Sequence, residues 1–389
     1  MLSREENAGR IARLQQKLTD GGLDGALLVQ PVDVYYFSGT RQNAVLWVPA
    51  AGAPLLLVRK SLVRAQQESS LAEVRPFPPS KEFAAALPQA ARKIGLTFDV
   101  LPVAQYNFFL KLLPGREFAD LSAINRELRA VKSAWELEQM RLSGAKLCGV
   151  YQQVPSFLRA GMREIDLAAE FESRMRQAGG EGYVRMRAFN QELFMGLAVA
   201  GDGACAPGFF DGAVTGQGLS AASPHGASAR RIDAGMPILL DYVGVFNGYH
   251  VDMTRMFVIG ALEPRLQQAF DLSLAIQKHL VAQLKPGSIC AELFAQAQAM
   301  AEAAGLAEHF MGPPGENAKF VGHGVGLELD EFPVLAQGFN QPLVAGQTIA
   351  IEPKFVFPGL GAIGIENTWA VTEQGGEKLT DLPDDLIRL

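Results

Sequence analysis

Two pairs of acidic residues, each pair separated by a predicted turn, are the side chains in this sequence best suited to chemistry. Asp241 follows an apolar run, Asp252 lies eleven residues further on, and Asn247-Gly248 between them is a strong hairpin signal. A hairpin centred near Phe246 and Asn247 would place the two aspartates across from each other, with Cβ atoms ~5 Å apart. Two anions at that distance repel, so each would resist ionisation unless a cation lay between them.

A second pair has the same arrangement further along the chain. Glu352 follows the apolar segment 348–351, and Glu366 lies fourteen residues after Glu352. Pro358-Gly359, near the midpoint, indicates a turn. The intervening segment is a less regular strand pattern than the first hairpin, but the spacing again predicts two carboxylates on neighbouring strands.

His323 is the remaining candidate ligand. Gly322 and Gly324 flank it and would let the backbone bring the imidazole into a crowded centre. Four carboxylates and one imidazole suit divalent ions such as Mn²⁺, Co²⁺, Fe²⁺ or Zn²⁺. Four anionic ligands exceed what one such ion usually takes, so two ions ~3.5–4 Å apart fit the set better. Any of these residues alone is more typical of a solvated surface, whereas all five together predict a metal centre.

Composition and charge narrow the class of protein. The 389 residues are 48% hydrophobic and carry a net charge of −6 without blocks of like charge, which argues against a nucleic-acid partner. No apolar run reaches the ~18–20 residues that span a bilayer, and the charged N-terminus does not resemble a signal peptide. Cys148, Cys205 and Cys290 are widely spaced, as expected in a reducing compartment. We therefore expect a cytoplasmic enzyme with no membrane or nucleic-acid partner.

The elements that would position these residues divide the chain into two predicted domains, 1–130 and 131–389. Strand-like and helical segments alternate to about residue 125, which predicts an α/β domain. A capping box, Ser133-x-x-Glu136, begins the first helix of the second domain.

The second predicted domain contains a faint internal repeat. Helical segments run from Gly161 to Gly179 and from Gly287 to Gly305, both 18 residues from glycine to glycine, with Leu167 and Leu293 at equivalent places. Each segment is followed by strand-like sequence carrying two carboxylates. The repeat either arises by chance or indicates a duplicated helix-plus-sheet half with a site between the halves.

Short motifs surround the candidate ligands and extend to the N-terminal domain. They are Val34-Tyr35-Tyr36-Phe37-Ser38-Gly39-Thr40, Leu240-Asp241-Tyr242-Val243-Gly244, Gly248-Tyr249 with Asp252 and Thr254-Arg255, Gly322-His323-Gly324-Val325-Gly326-Leu327-Glu328, Ile351-Glu352-Pro353, and Ile365-Glu366-Asn367-Thr368. In this order they resemble the creatinase, prolidase and methionine aminopeptidase superfamily, and they are closer to prolidase and aminopeptidase P than to single-domain methionine aminopeptidases.

The resemblance implies a mixed α/β (α+β) protein. A creatinase/prolidase-type N-terminal domain would precede a pita-bread catalytic domain with pseudo-twofold duplicated helix-plus-antiparallel-sheet halves. It also implies a dinuclear metallopeptidase in which Asp241 and Asp252 bind one ion, His323 and Glu352 bind the other, and Asp252 and Glu366 bridge them. Two divalent ions per subunit, with Mn²⁺ favoured, a homodimer, and short peptide substrates cleaved between an N-terminal residue and proline are further implications. Glu352 would also shuttle the proton.

Asp330 is the first departure from the family pattern, because a histidine that contacts the substrate usually stands there. A protonated Asp330 could donate a hydrogen bond in its place. An ionised Asp330 could instead hold a cationic group such as the substrate's free α-amine. The second alternative needs no unusual pKa, so we expect it.

Further departures affect the pocket. Gly364 stands where the family has an arginine, so a basic residue near Glu366 is missing. The segment 206–222, rich in glycine and phenylalanine, looks like an insertion that would line and reshape the substrate pocket. His225, which follows it, resembles the family histidine that contacts substrate and stabilises the tetrahedral intermediate; the alternative is a loop histidine without a role.

These observations predict a dinuclear exopeptidase of the prolidase or aminopeptidase P type. The two ions would lower the pKa of a bridging water, and Glu352 would pass its proton to the leaving nitrogen. One alternative is a metal-dependent non-peptidase hydrolase or lyase on the same scaffold, which the change at Asp330 and the inserted loop keep open. A metal-free creatinase-like enzyme is disfavoured because all five ligands are present, and the same fact argues against a non-catalytic binding protein.

Overall fold

A computed structural model describes residues 2–187 and 193–389 of the chain. These residues divide into two units, one of residues 2–129 and the other of residues 130–187 and 193–389. The described part of the chain contains no helix with the length and apolar character needed to cross a membrane.

The first unit combines five helices with one mixed sheet. Its helices are α1 (Arg4–Asp20), α2 (Pro31–Ser38), α3 (Leu62–Glu68), α4 (Val103–Leu112) and α5 (Ser122–Ala130). Its strands are β1 (Gly25–Leu28), β2 (Ala44–Pro49), β3 (Leu55–Val58), β4 (Val74–Pro76), β5 (Lys93–Leu96) and β6 (Glu117–Asp120). The strand order is β4-β3-β2-β1-β5-β6, with β2 antiparallel to both its neighbours and the remaining pairs parallel. The inner strands β1, β2, β3 and β5 are mostly buried, whereas the edge strands β4 and β6 are more exposed.

The second unit contains four longer helices and three sheets. Its helices are α6 (Ala134–Tyr151), α7 (Glu164–Gln177), α8 (Pro264–Ala282) and α9 (Cys290–Ala303). Its strands are β7 (Gly196–Ala200), β8 (Ile238–Phe246), β9 (Tyr249–Val258), β10 (Phe320–Gly324), β11 (Glu331–Ala336), β12 (Thr348–Ile351), β13 (Lys354–Phe357), β14 (Gly361–Gly364), β15 (Asn367–Thr372), β16 (Gly375–Lys378) and β17 (Ile387–Arg388). The sheet orders are β17-β9-β8-β7, β11-β10-β12-β15-β16 and β13-β14.

The two helices of the sequence repeat have the same length and the same internal register. Helices α7 and α9 each span 14 residues and each begin three residues after the opening glycine of the repeat. Leu167 and Leu293 are the fourth residue of their helices, and both are buried in the core. The repeat therefore corresponds to two equivalent helices, each followed along the chain by antiparallel strands that carry the acidic pairs.

The first acidic pair lies on the hairpin β8–β9, but its register differs from the prediction. The turn is the two-residue Asn247-Gly248, both at positive φ (51° and 83°), rather than Phe246–Asn247. Asp241 consequently pairs with Thr254, and Asp252 pairs with Val243. The two aspartates are diagonal neighbours on one face of the hairpin, instead of directly opposite each other, because the turn moves the register by two residues.

The second acidic pair lies where β12 continues into β13 and β14 into β15. Strand pairing on both sides of this point keeps one register, from Ile351 with Asn367 to Lys354 with Gly364. Glu352 and Glu366 therefore face each other, as the turn spacing predicts. An isolated bridge between Thr254 and Glu366 joins this second hairpin to the first and brings the two acidic pairs together.

Candidate metal centre

The five predicted ligands line one cavity of the second unit. Asp241 and Asp252 are on β8 and β9, His323 is on β10, and Glu352 and Glu366 lie at the junctions of the second hairpin. The cavity has a volume of about 260 Å³. Asp252 and Glu366 are 6% and 1% exposed, so their charges are almost completely removed from water.

His323 is held in the orientation that a metal ligand requires. Its Nδ1 lies 2.9 Å from the carbonyl oxygen of Leu329, which can only accept, so Nδ1 carries the proton. The lone pair of Nε2 then faces the carboxylates, 3.6 Å from Glu352 Oε1 and 3.9 Å from Glu366 Oε1. A backbone carbonyl that fixes the tautomer in this way is common for metal-binding histidines.

Glu366 is fixed by Thr254 and keeps one oxygen for another partner. The hydroxyl of Thr254 donates to Glu366 Oε2 at 2.9 Å. The other oxygen, Oε1, is buried and has no hydrogen-bond partner among the described residues. Burial raises the pKa of the Glu366 carboxyl well above its ordinary value, and the charge of Asp252 raises it further. Oε1 is therefore a buried acceptor that could bind a cation.

Lys354 is a member of the centre that sequence reasoning missed. Its Nζ donates to Asp241 Oδ2 at 2.8 Å, to Glu352 Oε2 at 2.7 Å and to Glu366 Oε2 at 2.8 Å. Burial by itself lowers the pKa of Lys354, but the three carboxylates outweigh it and hold the pKa well above its ordinary value. The cation predicted between the acidic residues is therefore, in part, the protein's own ammonium group.

Gly364 makes room for Lys354. The two residues are direct partners on β13 and β14, and a Cβ at position 364 would lie 2.6 Å from Lys354 Cγ. The expectation that a basic residue near Glu366 is missing is therefore wrong, because Lys354, on the strand opposite Gly364, lies 2.8 Å from Glu366 Oε2. The sequence did contain a signal for this role of Lys354. Residues 349–357 are apolar apart from Glu352 and Lys354, and a lysine buried in such a run is rare unless it is paired with an acidic group.

The donor set fits one divalent ion directly. Asp252, His323 and Glu366 each offer a ligand atom, and these atoms lie within 4.8 Å of one another. Two oxygens and one imidazole nitrogen suit Mn²⁺, Co²⁺, Fe²⁺ or Zn²⁺. Asp241 and Glu352 are less available to a metal ion, because one oxygen of each already accepts a hydrogen bond from Lys354.

Asp330 and the inserted loop also line the cavity. Asp330 Oδ1 accepts a hydrogen bond from the backbone N–H of Arg187 at 2.9 Å. Phe210, Ala213 and Val214 belong to the segment 206–222 and form part of the cavity wall, whereas an effect of this segment on substrate binding stays a prediction. The site therefore combines an acidic end, where the candidate metal ligands lie, with a largely apolar wall.

His225 lies in an aromatic environment beside the cavity. Its ring centroid is 5.7 Å from that of Phe194, 5.4 Å from Phe209 and 6.0 Å from Phe210. Both ring nitrogens are buried without a hydrogen-bond partner among the described residues, and burial lowers the pKa of His225. Phe210 is one of the residues that line the cavity and His225 is not, so contact between His225 and a substrate stays a prediction.

Family models cover most of the chain. The model described as metallopeptidase family M24 matches residues 138–373. The protein belongs to metallopeptidase family M24. The creatinase/prolidase N-terminal domain model matches residues 10–131. The predicted family and two-part fold are confirmed, the protein is a peptidase, and membership of the family implies divalent metal ions.

Individual relatives agree with the family assignment over nearly the whole chain. The chain is 27% identical to the Xaa-Pro dipeptidase of Pyrococcus furiosus, over 97% of this chain and 99% of that one. It is 28% identical to the probable dipeptidase PepE of Mycobacterium tuberculosis, over 98% and 96% of the two chains.

Solved structures show the same fold. The Xaa-Pro dipeptidase from Bacillus anthracis has a TM-score of 0.84 at 24% identity and covers 98% of this chain and 100% of its own. Dipeptidase PepE from Mycobacterium ulcerans has a TM-score of 0.81 at 26% identity and covers 99% of this chain and 98% of its own.

Proposed function

We propose that this M24 peptidase is a metal-dependent exopeptidase that releases an N-terminal residue from proline in short peptides. The observation that carries the proposal is the convergence of Asp252, His323 and Glu366 in one cavity that also contains Asp330. Relatives that match nearly the full length are named Xaa-Pro dipeptidase or dipeptidase, which supports a substrate of dipeptide size. A cavity of about 260 Å³ is compatible with so small a ligand.

The chain's own residues would prepare the centre for hydrolysis. Leu329 holds the tautomer of His323, and Thr254 orients Glu366, so two of the proposed ligands are fixed before an ion binds. A divalent ion held by Asp252, His323 and Glu366 would supply a Lewis acid for the scissile carbonyl and would make water a better nucleophile near neutral pH.

Glu352 is the proposed proton carrier. Its Oε2 is bound to Lys354, whereas its Oε1 lies 3.6 Å from His323 Nε2, and the residue lines the cavity. Oε1 is therefore the atom that would take a proton from the attacking water and give it to the departing nitrogen. A prolyl nitrogen belongs to a tertiary amide, and its protonation on departure is essential.

Asp330 is the proposed anchor for the substrate's α-amine. Its carboxylate lies on the cavity wall and is positioned by the backbone of Arg187. An ionised carboxylate at this point would bind a cationic N-terminus and so restrict cleavage to the first peptide bond. This role replaces the hydrogen-bond donor that the family histidine would supply. His225 remains a proposed second substrate contact.

Other details of this proposal concern the assembly and the ions. Mn²⁺ is the favoured ion and a homodimer the favoured assembly, as the family resemblance implies, and the cytoplasm is the favoured location, as the composition predicts. Two ions per subunit were also predicted, but the position of Lys354 supports a lower number. The metal-dependent non-peptidase hydrolase or lyase that the sequence left open is disfavoured by membership of metallopeptidase family M24.

A substrate screen tests the proposal. The purified protein is incubated with Xaa-Pro dipeptides, longer Xaa-Pro peptides and matched peptides in which alanine replaces proline, each with Mn²⁺, Co²⁺ or Zn²⁺. We expect metal-dependent release of the N-terminal residue, with proline-containing dipeptides cleaved fastest. Cleavage of none of these peptides, in protein that binds the metal, would contradict the proposed Xaa-Pro substrate.

A further inference from the structure

We propose that the ammonium group of Lys354 takes the place of one ion of a two-ion centre, so that this protein binds a single catalytic divalent ion. The remaining ion would be held by Asp252, His323 and Glu366. The inference concerns the same centre as the proposed function, and it depends on that function only in calling the ion catalytic.

The three carboxylate oxygens that accept hydrogen bonds from Lys354 cannot bind a metal ion while the ammonium group occupies this position. Nζ lies 2.7–2.8 Å from one oxygen each of Asp241, Glu352 and Glu366. A divalent ion bound to the same oxygens at ~2.0–2.2 Å would overlap the ammonium group. Two cations at that separation would also repel strongly in a buried site. The ammonium and an ion are therefore alternatives at this point.

The surrounding structure fixes the position of the Lys354 side chain. Its side chain is only 2% exposed and stands on a strand whose four residues are all buried. Its partner across the strands is Gly364, the only residue type that leaves space for the lysine stem. If the ammonium left the carboxylates without reaching water, it would be a buried and unpaired charge, which is costly.

The other half of the centre keeps the atoms that an ion needs. Glu366 Oε1 is buried and has no hydrogen-bond partner among the described residues, although Oε2 of the same group is bound to Lys354 and Thr254. His323 Nε2 points toward the same place, 3.9 Å from Glu366 Oε1. Glu366 would therefore bridge the ammonium and one ion, as a bridging carboxylate joins two ions in a dinuclear site.

The number of bound ions tests the inference directly. The full-length protein is stripped with a chelator, loaded with excess Mn²⁺ and freed of unbound metal, and Mn²⁺ per chain is then measured by elemental analysis and by calorimetric titration. We expect one Mn²⁺ in the wild type. Lys354→Ala removes the ammonium and opens its space, so we expect two Mn²⁺ in this variant. Lys319→Ala, which changes an exposed loop lysine, serves as the matched control and should bind one.

Electron paramagnetic resonance gives an independent readout. A single Mn²⁺ shows the hyperfine pattern of an isolated ion, whereas two ions ~3.5–4 Å apart are exchange-coupled. We expect the isolated pattern in the wild type and the coupled pattern in Lys354→Ala. If that variant folds only with Mn²⁺ present, it is purified in Mn²⁺; if it does not fold at all, the wild-type count and spectrum decide.

Three results would overturn the inference: two Mn²⁺ in the wild type, none in the wild type, or an unchanged count of one in folded Lys354→Ala. All of these measurements are made without a peptide. A wrong ion count is therefore distinguishable from a wrong substrate, which only the peptide screen detects.

Discussion

Replacing Glu352 by glutamine isolates the proposed proton transfer from the other roles of the centre. Lys354 can only donate, so the amide oxygen of the introduced glutamine must take the position of Glu352 Oε2, 2.7 Å from Nζ in the native protein. The amide nitrogen then occupies the position of Oε1, where it presents hydrogens in place of a proton acceptor. Lys354 keeps Asp241 and Glu366 as partners, so the buried ammonium stays paired and the fold should persist.

The expected loss is set by the value of general acid–base catalysis. A positioned base contributes about 10²–10⁴-fold, so kcat for Glu352→Gln should fall by this factor, or about 3–5 kcal/mol in the barrier. KM and Mn²⁺ content should change little, because Asp252, His323 and Glu366 are intact.

The assay is steady-state hydrolysis of the best Xaa-Pro dipeptide, with Mn²⁺ content and thermal unfolding measured on the same preparation. Glu172→Gln is a suitable control, because Glu172 is a partly buried carboxylate that accepts a hydrogen bond from Tyr242 and does not line the cavity. Activity of Glu352→Gln within tenfold of the wild type, with metal retained, would refute the proton-transfer role of Glu352.

Three further predictions follow from other contacts. Asp330→Asn should raise KM for peptides with a free N-terminus and leave N-acetylated peptides unaffected; equal effects on both would argue against an α-amine anchor. Thr254→Val removes the hydroxyl that orients Glu366 and should weaken Mn²⁺ binding about 10–100-fold in calorimetry, without loss of fold. Burial raises the pKa of all three cysteine thiols to about 11. The native protein should therefore react slowly with a thiol reagent at pH 8, and rapid labelling before unfolding would contradict this. The thiols ionise more readily in the unfolded chain, so the free energy of unfolding should fall as the pH rises above about 8.5.

Local sequence patterns determined much of this protein. The capping box at Ser133 predicted the start of α6, and its reciprocal hydrogen bonds with Glu136 are present. The repeat spacing predicted two equivalent helices, and the turn signals predicted both hairpins. The five candidate ligands predicted a metal centre, and the resemblance of the motifs around them to the creatinase, prolidase and methionine aminopeptidase superfamily predicted the family and the fold.

Tertiary structure decided the charge balance of the centre. The register of β8–β9 depends on which residues adopt positive φ in the turn, so Asp241 and Asp252 became diagonal neighbours instead of opposite ones. The position of Lys354 depends on its partner across the strands, Gly364, which is ten residues away in the sequence. The same ammonium contacts Asp241 of the other hairpin, and no local pattern records that contact. A sequence states which groups can carry charge, whereas only the packing of the two hairpins determines which of those charges meet.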